Sequence, residues 1–168
     1  MNKQQVSKNI EIAKKYLETY HLLLPDDENI FDCYCLPPYR WKAFYAQIYK
    51  TDGIYRVNCA YTRYSDHFGE VSFSQPFTSV MTDTHPSRKT DAFCKCFFPD
   101  ADIIDDLIKC AENYDANENP IEERTVIDGV TAGVRIFENG FVAKDICLVS
   151  SDASDLLLEK ILRFSDLI

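Results

Sequence analysis

"TAGVRIFENGFVAKDICLV", residues 131–149, carries the clearest structural signal in this chain, because Asn139-Gly140 joins two strand-like segments. Both central positions of a two-residue hairpin turn need a positive φ, which asparagine and glycine tolerate better than other residues. So short a connection leaves no room for a helical crossover, and the two strands must be antiparallel neighbours. The stretch therefore predicts a β-hairpin within a mainly antiparallel sheet.

Other segments alternate apolar and polar side chains, which is typical of half-buried strands. One of them runs from Tyr55 to Tyr61, and a shorter one contains Val71 and Phe73. Asp-Gly pairs at 52–53 and 128–129 are weaker versions of the hairpin signal. We therefore expect about seven strands in all.

Three segments have the period of an amphipathic helix instead: an N-terminal one at 3–24, a middle one at 100–114 and a C-terminal one at 153–165. A strand, a short Asp-containing cap and a helix occur twice, at 93–114 and 141–165, which is consistent with a duplicated ββα unit. The predicted fold class is therefore α+β, with one domain over residues 1–168. In the middle helix we expect four apolar side chains to face inward: Ile103, Leu107, Cys110 and Tyr114.

Composition indicates an ordinary globular protein, since 46% of the residues are hydrophobic and 27% are charged. The first 24 residues mix lysine and glutamate without a continuous apolar run, and no run approaches the roughly 20 residues of a membrane-spanning helix. We therefore expect a cytoplasmic protein with no membrane partner. In that reducing setting its seven cysteines are expected to be free thiols.

Two Cys-x-Cys pairs, Cys33/Cys35 and Cys94/Cys96, raise the question of a metal site. Two sulfurs on one zinc ion approach within roughly 3.8 Å, whereas residues i and i+2 of a strand lie about 6.6 Å apart. We therefore predict no metal and no cofactor. Instead, Cys94 and Cys96 are expected to form an apolar strand face together with Phe98.

Charge is distributed unevenly along the chain, whose formal net charge is −9. Residues 100–123 contain nine acids and one lysine, whereas residues 38–64 contain five basic residues and one acid. A protein that binds nucleic acid in general relies on a basic face, so this distribution disfavours nucleic-acid binding.

The acidic segment is the basis of our first function hypothesis. It describes a cytoplasmic protein-interaction module, for example an inhibitor or immunity-type protein, that binds a basic partner through the acidic helix and its linker. A solvated helix face, with acids placed favourably in the first turns, is the plainer alternative. The predicted partner-binding residues are Asp105, Asp106, Glu112, Asp115 and Glu118.

The second hypothesis is a small-molecule-binding or catalytic domain with a tyrosine-lined pocket on the sheet, lidded by the polar loop 76–92. The chain has no phosphate-binding glycine loop, zinc-protease motif, nucleophile elbow or EF-hand loop, which lowers the expectation of an enzyme. The sequence leaves the oligomeric state undecided between a monomer and a homodimer that forms through the apolar stripe of residues 6–24. The predicted pocket residues are Tyr45, Tyr49, Tyr55, Tyr61, His85 and Arg88.

Overall fold

The computed structural model describes residues 3–36, 43–62, 92–115, 130–150 and 155–168. These residues form three helices: α1 (Lys3–Thr19), α2 (Ala101–Glu112) and α3 (Leu156–Ser165). They also form six strands: β1 (Phe31–Leu36), β2 (Phe44–Thr51), β3 (Ile54–Thr62), β4 (Ala92–Phe97), β5 (Val130–Glu138) and β6 (Phe141–Ser150).

The strands make one sheet in the order β4-β3-β2-β1-β5-β6, and every neighbouring pair is antiparallel. The α+β fold with three helices is therefore confirmed. The described residues contain six strands rather than about seven, and the strand predicted around Val71 and Phe73 lies outside them.

The predicted hairpin is formed by β5 and β6, with Asn139 at φ 53° and Gly140 at φ 80°. The same turn chemistry joins β2 to β3, where Asp52 and Gly53 also have positive φ. Each of α2 and α3 follows an antiparallel pair, β3–β4 and β5–β6 respectively. Duplication of a ββα unit stays a prediction.

Both faces of the sheet are covered. Strand β1 is buried along its whole length because α2 and α3 pack against one face and α1 packs against the other. The larger core lies under α2 and α3 and includes Phe31, Phe44, Ile104, Leu107, Ile161 and Phe164. The smaller core lies under α1 and includes Val6, Ile10, Ala13, Leu17, Tyr34 and Tyr45.

Helix α1 ends at Thr19, five residues before the predicted end. The Leu22 amide donates to the Leu17 carbonyl at 2.8 Å and the His21 amide to the Glu18 carbonyl at 3.0 Å, with His21 at φ 57°. This is the Schellman cap, in which a left-handed residue ends the helix. The prediction missed it because the left-handed position is usually glycine. The predicted apolar stripe nevertheless packs on the chain's own sheet.

Strand β4 has the opposite orientation to the one predicted. Phe93 stacks on Tyr61 and Phe97 contacts Phe164, so the odd-numbered residues face the larger core. Cys96 is exposed, and Phe98 is 67% exposed beyond the end of the strand. The expected Cys94–Cys96–Phe98 apolar face therefore holds only at Cys94, which packs against the smaller core. Phe93 and Phe97 take the side of the larger core because two phenylalanines bury more apolar area than two cysteines do.

No helix among the described residues is long and apolar enough to cross a bilayer.

Candidate functional site

The acidic residues of α2 lie on an outer surface that this helix shares with α3. We call the exposed part of both helices, with residues 113–115, the α2–α3 surface. The five charged residues of α2 are all exposed, as expected of side chains outside the predicted inward stripe: Asp102, Asp105, Asp106, Lys109 and Glu112. The buried stripe differs from the predicted one, since it consists of Ile104, Leu107 and Ala111.

The difference in the stripe has a simple cause and an important result. Apolar residues extend more than halfway around α2, so the stripe could be drawn in two ways, and Ile104 and Ala111 fit the core better. As a result Ile103, Cys110 and Tyr114, which were predicted to be buried, are only half-buried. They supply apolar area beside the acids of the α2–α3 surface.

Two cavities open on this surface between α2 and α3. The first has a volume of about 410 Å³ and the second about 540 Å³. Asp106, Lys109 and Lys160 line both. The first is otherwise lined by Asp102, Ile103, Asp105 and Arg163. We call the second the Leu156 cavity, and its other lining residues are Cys110, Asn113, Tyr114, Asp115, Asp155, Leu156 and Leu157.

Asp105 and Asp106, two of the five predicted binding residues, each accept a hydrogen bond that fastens α2 to another element. Asp105 accepts a hydrogen bond from the Tyr55 hydroxyl, whose ring also lies 4.2 Å from the Lys50 ammonium. Asp106 accepts from the Lys160 ammonium at 2.5 Å, and this contact lowers the pKa of the Asp106 carboxyl. Both aspartates therefore help to hold α2 in place as well as contributing charge.

Of the other three predicted acids, two lie at the C-terminal end of the α2–α3 surface. Glu112, the last residue of α2, and Asp115 both have exposed side chains at the C-terminal end of the surface. Glu118 lies outside the described residues. Changes at Glu112 and Asp115 alter the charge at this end of the surface and leave the Tyr55–Asp105 and Lys160–Asp106 hydrogen bonds in place.

Lys144 of β6 positions this end of the surface, a role the sequence did not reveal. Its ammonium donates to the carbonyls of Ala111, Glu112 and Tyr114 at 2.9, 2.8 and 2.8 Å. Carbonyls in the last turn of a helix lack intrahelical donors and carry the negative end of the helix dipole. One lysine thus donates to the last two carbonyls of the helix and to that of Tyr114 just beyond it, and ties α2 to the sheet.

The N-terminus of α3 completes the surface. The Asp155 carboxylate accepts from the amides of Leu157 and Leu158 at 2.9 and 3.1 Å, which is the N-cap arrangement. The Tyr114 hydroxyl donates to the same carboxylate at 3.5 Å. Leu156, the first helical residue, projects outward and is 57% exposed.

Comparison with known proteins adds no family. No family model, curated protein or solved structure matches this chain. The function must therefore be argued from the geometry.

The four tyrosines of the alternative pocket do not lie together. Tyr45 and Tyr49 point to the α1 face of the sheet, whereas Tyr55 and Tyr61 point to the face of α2 and α3. Paired strands place directly opposed residues on the same face, so this split follows from the β2–β3 register. His85 and Arg88, the other two predicted pocket residues, lie outside the described residues.

Tyr45 instead belongs to a buried polar cluster under α1. Its hydroxyl donates to Asp32 at 2.8 Å, and the Asn29 amide donates to the same carboxyl group at 2.5 Å. Asp32 is fully buried, and this burial raises its pKa from 3.8 to about 6. The only sequence signal was an acid within the apolar strand "FDCYCL".

All seven cysteines are free thiols, and none forms a disulfide bond. Burial raises the pKa of the Cys33, Cys35 and Cys59 thiols. Within the described part of the chain, no three His, Cys, Asp or Glu residues come close enough to hold a metal ion.

Proposed function

We propose that this protein is a cytoplasmic protein-interaction module that binds a basic protein partner through the α2–α3 surface. One observation carries the proposal: the most acidic segment of the chain borders two cavities that also expose apolar side chains. Acidic charge steers a basic partner toward the surface, and desolvated apolar contacts then slow its departure. An inhibitor or immunity-type role is one form of this activity, in which the bound module covers the partner's working surface.

Other features support a binding role over the alternative hypothesis. The split of the four tyrosines over two sheet faces leaves the small-molecule hypothesis without the single pocket it required. The α1 stripe is buried on the chain's own sheet, so binding at α2 and α3 requires no rearrangement of that helix. The proposal holds for a monomer and for a homodimer, and it involves neither nucleic acid nor membrane.

The first experiment identifies the partner. The tagged wild-type protein and the double variant Glu112→Gln/Asp115→Asn are used in parallel to capture proteins from a lysate of the source cells, at low and at high salt. We expect a basic protein that the wild type retains at low salt, that high salt releases, and that the variant captures poorly. Capture that is equal for both proteins and insensitive to salt would contradict the proposal, since exposed charges are screened over about 8 Å at physiological ionic strength.

A further inference from the structure

The Leu156 cavity differs chemically from the first cavity. Its lining includes the apolar side chains of Leu156, Tyr114 and Cys110, which we call the apolar wall, and the carboxylates of Asp106, Asp115 and Asp155, which we call the acidic rim; Lys109 and Lys160 also line it. The first cavity has only Ile103 as an apolar lining residue. An apolar wall beside an acidic rim matches a side chain that is itself apolar along its stem and cationic at its tip.

Arginine and lysine are such side chains, because they bury their methylene stems while the charged head stays among polar groups. Arginine suits this cavity better. Its planar guanidinium stacks on aromatic rings, here that of Tyr114, and presents a fork of donors to carboxylates. Lys109 and Lys160 line the same cavity, and Lys160 is hydrogen-bonded to Asp106, but the three carboxylates outnumber the two ammonium groups, so the lining stays net acidic.

We propose that the Leu156 cavity is the anchor subsite for one arginine side chain of the basic partner, with the stem against Leu156 and the guanidinium at the acidic rim. This inference rests on the proposed function and adds to it the position and the chemical class of the anchoring residue. A single buried anchor surrounded by weaker charged contacts is the usual distribution of energy in a protein interface.

The subsite can be tested before the partner is known. N-acetyl-L-arginine amide is titrated into the ¹⁵N-labelled protein while amide chemical shifts are followed. We expect saturable shifts confined to residues 106–115 and 155–160, which include the lining of the cavity, with a dissociation constant in the millimolar range, as is usual for a ligand of this size. Guanidinium chloride, which lacks the stem, and N-acetyl-norleucine amide, which lacks the charge, should each bind at least about threefold more weakly.

A matched pair of variants tests the apolar wall. Leu156→Ser should weaken binding of the arginine amide about threefold, since it removes the surface that the stem covers. Ile54→Ser is the control, because Ile54 is 59% exposed, as Leu156 is 57% exposed, but lies in the β2–β3 hairpin. Ile54→Ser should leave the affinity for the arginine amide unchanged.

The outcomes separate this inference from the proposed function. Equal shifts from guanidinium, shifts spread over the whole acidic surface, or unchanged binding by Leu156→Ser would each overturn the anchor subsite. If partner capture still depends on Glu112 and Asp115 in that case, the proposed function stands without it. If the wild type and the Glu112→Gln/Asp115→Asn variant capture the partner equally well, the proposed function fails, and the anchor inference that rests on it fails too.

Discussion

Replacing the buried Asp32 by asparagine should stabilise the protein at neutral pH. The carboxyl is fully buried in β1, and burial is the main cause that raises its pKa to about 6. Hydrogen bonds from Asn29 and Tyr45, and the charges of Lys14 and Arg135, act in the opposite direction but do not cancel the effect of burial. At pH 7 the folded protein therefore contains an unfavourable buried charge.

The size of the effect follows from the pKa. A change from 3.8 to about 6 is about two units, and each unit corresponds to about 1.4 kcal/mol, which gives about 3 kcal/mol. The folded state binds the proton more tightly than the unfolded state does. The stabilisation by this proton is thus complete below pH 3.8 and is lost as the pH rises through 6. Asparagine is neutral throughout: its amide oxygen can accept from Asn29, and its NH2 group, in place of the second carboxylate oxygen, can donate to the Tyr45 hydroxyl oxygen.

Urea denaturation of the wild type and of Asp32→Asn at a series of pH values from 4 to 7.5 measures this difference. We expect the two free energies of unfolding to be similar near pH 4, and the variant to become more stable by about 2 to 3 kcal/mol at pH 7.5. Comparing the proteins at each pH removes the contribution of all other titrating groups. A difference that does not change with pH, or a variant less stable than the wild type at pH 7.5, would refute the reasoning.

Three further predictions concern packing and charge. Gly133→Ala should lower the free energy of unfolding by about 2 kcal/mol in urea denaturation, because the added methyl would overlap the Tyr34 hydroxyl and a β6 carbonyl; an unchanged value would show that β5 can shift. Lys144→Met should cost about 2 kcal/mol and speed amide hydrogen exchange at the end of α2, since three carbonyls lose a charged donor; unchanged exchange would contradict this role. Lys160→Met should increase the association rate with the captured partner more than Lys109→Met does, because among the described residues Lys160 forms an ion pair with an acid of the surface, Asp106, and Lys109 has none; equal increases would indicate that net charge alone matters.

Sequence pattern was sufficient wherever a local rule determined the structure. Asn139-Gly140 predicted the β5–β6 hairpin because only residues that tolerate positive φ fit its turn. The antiparallel sheet and the three helices followed from periodicity in the same way. The Asp-containing cap predicted before the middle helix is Asp100, the N-cap residue of α2, although its side chain makes no capping hydrogen bond.

Prediction was wrong where two local solutions were similar and tertiary packing chose between them. The sequence "FCKCF" of β4 can turn its phenylalanines or its cysteines toward the larger core; the larger core selected the phenylalanines, and Cys94 packs against the smaller core instead. Helix α2 has more apolar residues than one buried stripe uses, so two stripes were compatible with its sequence. The observed stripe uses Ile104 and Ala111, each one residue after the predicted Ile103 and Cys110. That shift left Cys110 and Tyr114 half-exposed in the Leu156 cavity, which no sequence pattern indicated.

The buried cluster at Asp32 lay beyond sequence reasoning for another reason. Its partners Asn29, Tyr45 and Arg135 come from a loop and two different strands, and only the register brings them together. The acidic residues of α2, by contrast, were correctly predicted to be exposed because charged side chains are rarely buried without partners. Their role in binding stays a prediction.

The central claim, that a basic partner binds the α2–α3 surface, is tested most directly by association kinetics with the purified captured partner. Wild type, Glu112→Gln/Asp115→Asn and Glu11→Gln/Glu18→Gln are compared at several salt concentrations. The two double variants lose the same charge, but Glu11 and Glu18 are exposed on α1, across the sheet from α2. We predict an association rate about tenfold lower at low salt for the first variant only, with the difference shrinking as salt rises. Equal rates for the two variants would contradict the account.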